Sequence, residues 1–196
     1  MRKTFFFNII PSKAEEDAAK ATNTQFQATR VLVEIRDLYP PPPPDPANPW
    51  VIRKRPTASD VVTGRLMLSY IETFEHIFRH WTLDMANYVL FGNKAPVFVW
   101  DLTEENNPLS YRNESVFFER GASEEFYVLG WMDLVRNRAV NGGDEIGLYW
   151  DRGSASFHFK LFHRQVPNRS SLGMVANTIS DEMRFLEECT AALRTV

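Results

Sequence analysis

Two histidines four residues apart are the first residues whose spacing could support chemistry. His76 and His80 are followed by Asp84 one turn later, and on a helix this spacing could present three ligands to a metal ion. The run EHIFRH is not the HExxH pattern of zinc proteases. A helical wheel places both histidines opposite the face that carries Phe74 and Trp81. We therefore expect solvated surface histidines and no metal site. An enzyme that uses this pair would need a bound metal that survives chelation.

Other candidates for catalysis are scattered, and they do not combine an acid, a base and a nucleophile. The sequence contains no GxSxG, P-loop or GxGxxG pattern. Cys189, the single cysteine, falls on the apolar stripe of a predicted C-terminal helix, where a buried structural thiol is favoured over a nucleophile. The carboxylate pairs Glu104–Glu105 and Glu124–Glu125 fall in predicted loops, where they would be solvated. We predict that the protein is not an enzyme and needs no cofactor.

Length and composition favour one folded domain with extensions. The chain has 196 residues, is 44% hydrophobic and carries a formal charge of -3, which argues against a polybasic protein but permits a local basic surface. One cysteine cannot form an internal disulfide, which fits a reducing compartment. The start, MRKTFFFNIIP, is interrupted too early for a signal peptide, and no window approaches the ~18 apolar residues of a membrane span. We expect a soluble intracellular protein with no membrane contact.

Two predicted loops hold the residues best suited to recognition. The dense basic cluster of the chain, Arg53–Arg55, leads into a polar loop at residues 59–65, and a second loop runs from Arg120 to Glu125. Arginines and small hydroxyls on loops at the edge of a rigid β scaffold can contact phosphates and base edges in a groove. A solubilising cluster or a weak nuclear-import signal explains the basic residues equally well on composition alone.

A proline run divides the chain into three predicted parts. Residues 1–49 form an N-terminal extension with a proline-rich linker, residues 50–165 a folded domain, and residues 166–196 a tail with an amphipathic helix. The prolines suit a stiff spacer or a ligand for SH3-like or WW-like partners. Ser12 and Glu15 predict a capped helix, whereas residues 26–38 leave helix and strand open. The last helix would dock on the domain or pair with a second chain.

Within residues 50–165, short apolar runs separated by turns indicate a mostly β barrel or sandwich. One long amphipathic helix is predicted from Ile71 to Leu90 and a short one from Trp131 to Arg138. The strands are predicted at residues 65–68, Pro96–Leu102, Tyr111–Arg120, Phe126–Leu129 and the two arms of a hairpin within residues 144–164.

The order of several short motifs resembles the plant B3 DNA-binding domain. The first set is a basic Lys54, the step Ser59-Asp60-Val61 and the pair Arg65-Leu66. The second set is Tyr127 before Gly130-Trp131, a short helix, and Gly143-Asp144 opening the next strand. The runs GDEIGLYWD and VWD are similar to a divergent branch of that family. The resemblance covers about Trp50 to Arg164.

This resemblance implies a seven-stranded open barrel with two short helices and helical or disordered extensions. It also implies a nuclear protein that regulates transcription by binding double-stranded DNA through two arms in the major groove. The DNA-binding residues that it implies are Arg53, Lys54, Arg55, Ser59, Thr63, Arg65, Arg120 and Ser123. The second arm carries Glu124 and Glu125, which would repel phosphates. The competing hypothesis is therefore a B3-like protein-interaction module that acts through the proline segment and the C-terminal helix.

Overall fold

Strands dominate the part of the chain that the structure, a computed structural model, describes: residues 1–43 and 45–165. The strands are β1 (Arg2–Asn8), β2 (Thr29–Ile35), β3 (Ile52–Lys54), β4 (Arg65–Ser69), β5 (Ala95–Pro96), β6 (Val99–Asp101), β7 (Leu109–Tyr111), β8 (Phe117–Arg120), β9 (Phe126–Gly130), β10 (Glu145–Asp151) and β11 (Ser156–His163). The helices are α1 (Lys13–Thr22), α2 (Ala58–Thr63), α3 (Tyr70–Thr73), α4 (Leu83–Leu90) and α5 (Met132–Arg138), with a π-helical turn (Phe74–Phe78) after α3.

These strands form three sheets. β1 pairs with β2, the second sheet has the order β3-β10-β11-β6-β7, and the third has the order β4-β9-β8-β5. The pairs are antiparallel apart from β11 and β6, which run parallel. The mostly β prediction is confirmed. The seven-strand count is wrong for the predicted domain, since nine strands, β3 to β11, occur in residues 50–165 and form two sheets whose ladders do not close into one barrel.

The extra strands arise because two predicted strands each divide between the second and third sheets. Pro96–Leu102 contributes β5 to the third sheet and β6 to the second, and Tyr111–Arg120 likewise separates β7 from β8. In the second case Asn113 makes a local turn, in which its side-chain oxygen accepts from the Ser115 N–H at 3.1 Å. The chain therefore passes from one sheet to the other at these interruptions.

The core is aromatic, and it lies where the π-helical turn and the inward faces of the strands meet. Its rings pack edge to face or stacked at centroid separations of 5.0–6.3 Å. They belong to Phe74, Phe78, Trp81, Phe118, Tyr127, Trp150 and Phe157. Each fully buried ring stabilises the fold by about 1.5–3 kcal/mol relative to an exposed one. This core holds the third sheet, which carries the candidate site.

The predicted helix from Ile71 to Leu90 is wrong as a single element. The Arg79 N–H bonds to the Phe74 carbonyl at 3.1 Å, a π-type bond, and the helix then ends. Thr82 starts α4 by accepting a hydrogen bond from the Met85 N–H at 3.2 Å. The buried face keeps Phe74, Ile77, Phe78 and Trp81, whereas Ile71 and Tyr88 are exposed.

The N-terminal residues form an ordered β hairpin around a capped helix. The predicted capping box at Ser12 and Glu15 is confirmed by α1, and the ambiguous residues 26–38 form β2. Lys3 of β1 is buried and donates to the Trp81 carbonyl at 2.7 Å, and Leu32 of β2 joins the core. The helical part of the predicted extension is confirmed by α1, whereas disorder is wrong for residues 2–8 and 29–35, which form two paired strands. The predicted C-terminal helix and Cys189 lie outside the described residues.

None of the helices in residues 1–43 and 45–165 has both the length and the apolar character needed to span a membrane.

Candidate nucleic-acid interface

The first predicted arm, Ser59 to Arg65, contains a helix where a polar loop was expected. Thr57 caps α2 by accepting from the Asp60 N–H at 3.1 Å, and the Asp60 carboxylate accepts from the Thr57 N–H at 2.7 Å. This reciprocal capping box satisfies two donors at the helix start, which is why so short a helix forms. Ser59 and Thr63 are exposed, and the Thr63 hydroxyl donates to the Ser59 carbonyl at 2.7 Å. The loop prediction is thus corrected to one helix of six residues.

Asp60 joins this arm to the rest of the third sheet. Its side chain is buried, and the second carboxylate oxygen accepts from the Met67 N–H of β4 at 3.1 Å. The Trp131 indole N–H donates to the Asp60 carbonyl at 3.2 Å. Asp60 and Trp131, two of the motif residues noted in the sequence, therefore hold the arm in place.

Gly64 closes the first arm against α5. It has a φ of 63°, and its carbonyl accepts from the Trp131 N–H at 3.0 Å. A Cβ at this position would lie 2.7 Å from the Met132 Cβ. Only glycine therefore fits both the left-handed backbone and the close approach of α5.

The second arm, Arg120 to Glu125, contains the tight connection between β8 and β9. The Gly121 N–H bonds to the Phe126 carbonyl at 2.9 Å, and the Glu125 N–H bonds to the Ser123 hydroxyl at 3.1 Å. β9 also pairs with β4, with Arg65 opposite Gly130 and Ser69 opposite Phe126. The two arms therefore leave the β4–β9 pair at opposite ends.

Arg65 lies in a group of two cations that share one carboxylate. Its guanidinium pairs with Glu119 of β8, and the Lys94 ammonium lies 3.9 Å from the same carboxylate. Lys94 also lies 3.9 Å from the centre of the Phe117 ring, a cation–π contact. We call Arg65, Glu119 and Lys94 the first-arm cluster. It keeps one net positive charge, with the Arg65 side chain 43% exposed.

Arg120 belongs to a similar group, the second-arm cluster, formed with Glu124 and Arg30. Glu124 accepts from Arg120 at 3.0 Å and from both terminal nitrogens of Arg30 at 2.5 and 2.6 Å. Arg120 shares a strand face with buried Phe118, so its guanidinium also reaches the Leu90 carbonyl at the end of α4, at 3.2 Å. The Glu124 charge is thus neutralised, although Glu125 remains exposed.

The three basic residues around β3 differ in availability. Arg53 is 45% exposed, pairs with Glu145 at 3.2 Å and stacks on Phe162 at 4.2 Å. Lys54 is half-buried and pairs with Glu72 at 2.8 Å. Arg55 is exposed, and the described residues offer it no hydrogen-bond or ion-pair partner. Arg55 is therefore the most accessible of the three to a phosphate, whereas a phosphate at Lys54 would compete with the Glu72 carboxylate.

Sequence reasoning did not single out Arg30 or Lys94. Lys94 precedes Ala95, which lies opposite Phe118, so only the β5–β8 register brings it to Glu119. Arg30 is separated from Glu124 by 94 residues. Neither contact has a local signal in the sequence. With Lys94 and Arg30 included, Glu119 and Glu124 each bind two cations. The guanidinium groups of the arginines in these clusters offer planar N–H donors suited to phosphate.

The histidines of the interrupted helix are not the solvated residues that the sequence predicted. Burial, followed by repulsion from Arg152, lowers the pKa of His80 to about 4. Burial also lowers the pKa of His76 despite the nearby Glu75 carboxylate. Among residues 1–43 and 45–165, no group of three or more His, Cys, Asp or Glu side chains is arranged to hold a metal. Both histidines are half-buried.

A family model matches the part of the chain that carries both arms. Residues 50–162 match the model described as "B3 domain-containing protein At5g26805, C-terminal domain". The "Putative B3 domain-containing protein At1g78640" of Arabidopsis thaliana is 28% identical over 155 residues, which cover 76% of this chain and 28% of that protein. The B3 domain-containing protein At4g02870 of the same plant is 31% identical over 119 residues, which cover 59% of this chain and 35% of that protein. The chain thus spans about a third or less of these two relatives.

The chain also has a likeness among solved structures. The Arabidopsis FUS3–DNA complex is 19% identical in sequence, with a TM-score of 0.42 over 59% of this chain and 98% of that chain. The family assignment therefore rests on the family model, which covers more than half of the chain and includes β3 to β11 almost completely. The protein belongs to the family of B3 domain-containing proteins.

Proposed function

We propose that the protein binds double-stranded DNA sequence-specifically through its two arms and acts as a nuclear regulator of transcription, without an enzymatic role. The observation that carries this proposal is the position of the arms, which leave the two ends of one antiparallel pair, each beside a two-cation cluster. Membership of the B3 family supports it. In this proposal residues 50–165 are the DNA-binding unit, and residues 1–49 and 166–196 are extensions.

The proposed contacts divide by chemistry. Arg65 and Arg120 would contact phosphate or guanine, because a guanidinium can donate two parallel hydrogen bonds to either. Ser59, Thr63 and Ser123 are exposed hydroxyls on the arms and would donate to phosphates. The residues that would steer and hold the DNA backbone are Arg53, Lys54 and Arg55. Arg65 and Arg120 need to exchange part of their carboxylate contact for the DNA contact.

The test is selection from a randomised duplex pool with the full chain at two salt concentrations. The variant Arg65→Ala, Arg120→Ala removes one cation from each arm. A matched control, Arg36→Ala, Arg136→Ala, removes two exposed arginines outside the arms. If two phosphate contacts are lost, the slope of log affinity against log salt becomes shallower by about 2 in the arm variant.

The expected result is an enriched consensus for the wild-type chain and for the control, and its loss in the arm variant. Urea unfolding of each variant shows whether the fold is kept, which matters because Arg120 also bonds to the Leu90 carbonyl. If the folded wild-type chain enriches no sequence, sequence-specific recognition by this protein is excluded. If the control loses the consensus as well, the arms are not its source.

A second candidate function, a protein-interaction module, is favoured by one observation. Leu38 and Tyr39 immediately precede the proline run, and they are 73% and 90% exposed. An extended proline segment flanked by an aromatic residue is a ligand type for aromatic-lined grooves. Titrating a peptide of residues 36–50 into isolated SH3 and WW domains tests this candidate. Binding that a Tyr39→Ala peptide loses would support it, and no binding to any domain would contradict it.

A further inference from the structure

We propose that the N-terminal hairpin, β1 and β2, is a positioning element of the second arm, with Arg30 as its contact residue. This inference rests on the proposed function for its effect on DNA, but the contact itself can be tested without DNA. Arg30 lies outside the region that matches the family model, which begins at residue 50. A residue outside the matched B3 region therefore contacts the second arm.

The contact is bidentate and well oriented. The two terminal nitrogens of Arg30 donate to the two oxygens of Glu124 at 2.5 and 2.6 Å, which is the fork geometry that a guanidinium and a carboxylate prefer. The Arg30 guanidinium also lies 4.6 Å from the centre of the Phe5 ring on the neighbouring strand. The Arg30 guanidinium thus contacts Phe5 of the hairpin and Glu124 of the second arm at the same time.

The hairpin can hold the arm only if it is itself anchored, and three contacts anchor it. The Lys3 ammonium donates to the Trp81 carbonyl at 2.7 Å from a fully buried side chain. Phe5 packs on Phe74 at a centroid distance of 5.6 Å, and Leu32 is buried in the core. Arg30 therefore extends from a base fixed to the same core as β9.

The Arg30–Glu124 contact changes the charge of the second arm as well as its position. Without the hairpin, the second arm would carry Arg120 against Glu124 and Glu125, one net negative charge beside a polyanion. Arg30 cancels that charge and leaves Arg120 sharing its carboxylate partner. Like charges facing each other across an interface oppose binding, and a preorganised loop loses less freedom on binding. Arg30 thus makes an acidic arm compatible with a phosphate backbone.

The first readout is hydrogen–deuterium exchange of the second-arm amides in the full chain without DNA. Arg30→Ala should speed exchange at residues 121–126 by about threefold, the factor expected for losing one exposed ion pair. Arg36→Ala is the matched control, because it removes an exposed arginine just beyond the same strand. Unchanged exchange in Arg30→Ala, or equal acceleration in Arg36→Ala, overturns the proposal whatever the DNA result.

The second readout is duplex affinity in a double-mutant cycle. Arg30→Ala should weaken binding by about three- to tenfold, because it restores a net negative charge beside the duplex, and Arg36→Ala should leave it within about twofold. In a Glu124→Gln background, the loss caused by Arg30→Ala should largely disappear, because the charge that Arg30 neutralises is gone. The same loss in both backgrounds would mean that Arg30 acts independently of Glu124 and would refute the positioning role. If the wild-type chain binds no duplex, the proposed function fails, and the exchange experiment alone decides the role of the hairpin.

Discussion

Replacing Gly64 by alanine tests whether the close approach of the first arm to α5 stabilises the fold. The change imposes a left-handed backbone on a residue with a Cβ, which costs about 1–2 kcal/mol. The new Cβ would also meet the Met132 Cβ at 2.7 Å and its Cα at 3.0 Å, and overpacking of that kind costs a further 1–3 kcal/mol, about 2–5 kcal/mol in all. Gly92→Ala is the matched control, since Gly92 also has a positive φ, of 85°, but its Cβ would have no neighbour within 4 Å.

The assay is urea unfolding followed by tryptophan fluorescence. Both substitutions stiffen the unfolded chain equally, so the difference between their free energies of unfolding isolates the contact with Met132. We expect Gly92→Ala to lose about 1–2 kcal/mol and Gly64→Ala clearly more, which separates the urea midpoints by about 1 M for a slope of ~2 kcal/mol per M. Equal losses in the two variants would refute the packing argument. If Gly64→Ala loses more free energy of unfolding than Gly92→Ala, it should also bind the duplex more weakly, because Gly64 lies at the end of the first arm.

Three further predictions follow from single contacts. Asp60→Ala should cost about 1–3 kcal/mol of unfolding free energy in a urea titration, because it removes the carboxylate that accepts from the Thr57 N–H at the start of α2 and from the Met67 N–H of β4, whereas Asp60→Asn should cost less. Burial lowers the pKa of His80 to about 4, below the unfolded value of about 6.5, so the unfolded chain binds more protons and stability falls as pH drops from about 6.5 towards 4. His80→Asn should flatten that dependence in thermal unfolding, and an unchanged pH dependence in this variant would contradict the assignment. Glu119→Gln should strengthen duplex binding at low salt, because it releases Arg65 from its carboxylate; unchanged affinity would show that this pair does not limit binding.

The elements predicted well from sequence were those with a complete local signal. The β10–β11 hairpin follows from strict alternation on both strands, and the register pairs Asp151 with Ser156 across the predicted turn. The helix of residues 132–138 follows from its apolar spacing and from the glycines that end the segment beyond it. The capping box at Ser12 and Glu15 likewise needs no tertiary information. In each case the residues that decide the structure are neighbours in the chain.

The rest could not be predicted because it depends on distant partners. The predicted helix from Ile71 to Leu90 breaks where its aromatic side chains pack into the core, and a wheel drawn for a regular helix cannot include a π-type bond. The apolar strands at residues 2–8 and 29–35 each looked like parts of a loose extension, since neither shows the partner that pairs with it. The candidate site was predicted as two arms, but the Arg65–Glu119 pair depends on the strand register, and the Arg30–Glu124 pair joins residues 94 positions apart.

The order of strands in the second sheet has a consequence for the order of folding. The β10–β11 hairpin lies in the middle of that sheet, with β3 on one side and β6 on the other. β6, at residues 99–101, finds its parallel partner only at residues 157–159. At a synthesis rate of about 5–20 residues per second, the edges of β3 and β6 stay unpaired for several seconds until the hairpin has been synthesised. The sheet is therefore completed only when the hairpin pairs with β3 and β6. A chain that ends before residue 163 would leave edges of these strands exposed and prone to aggregation.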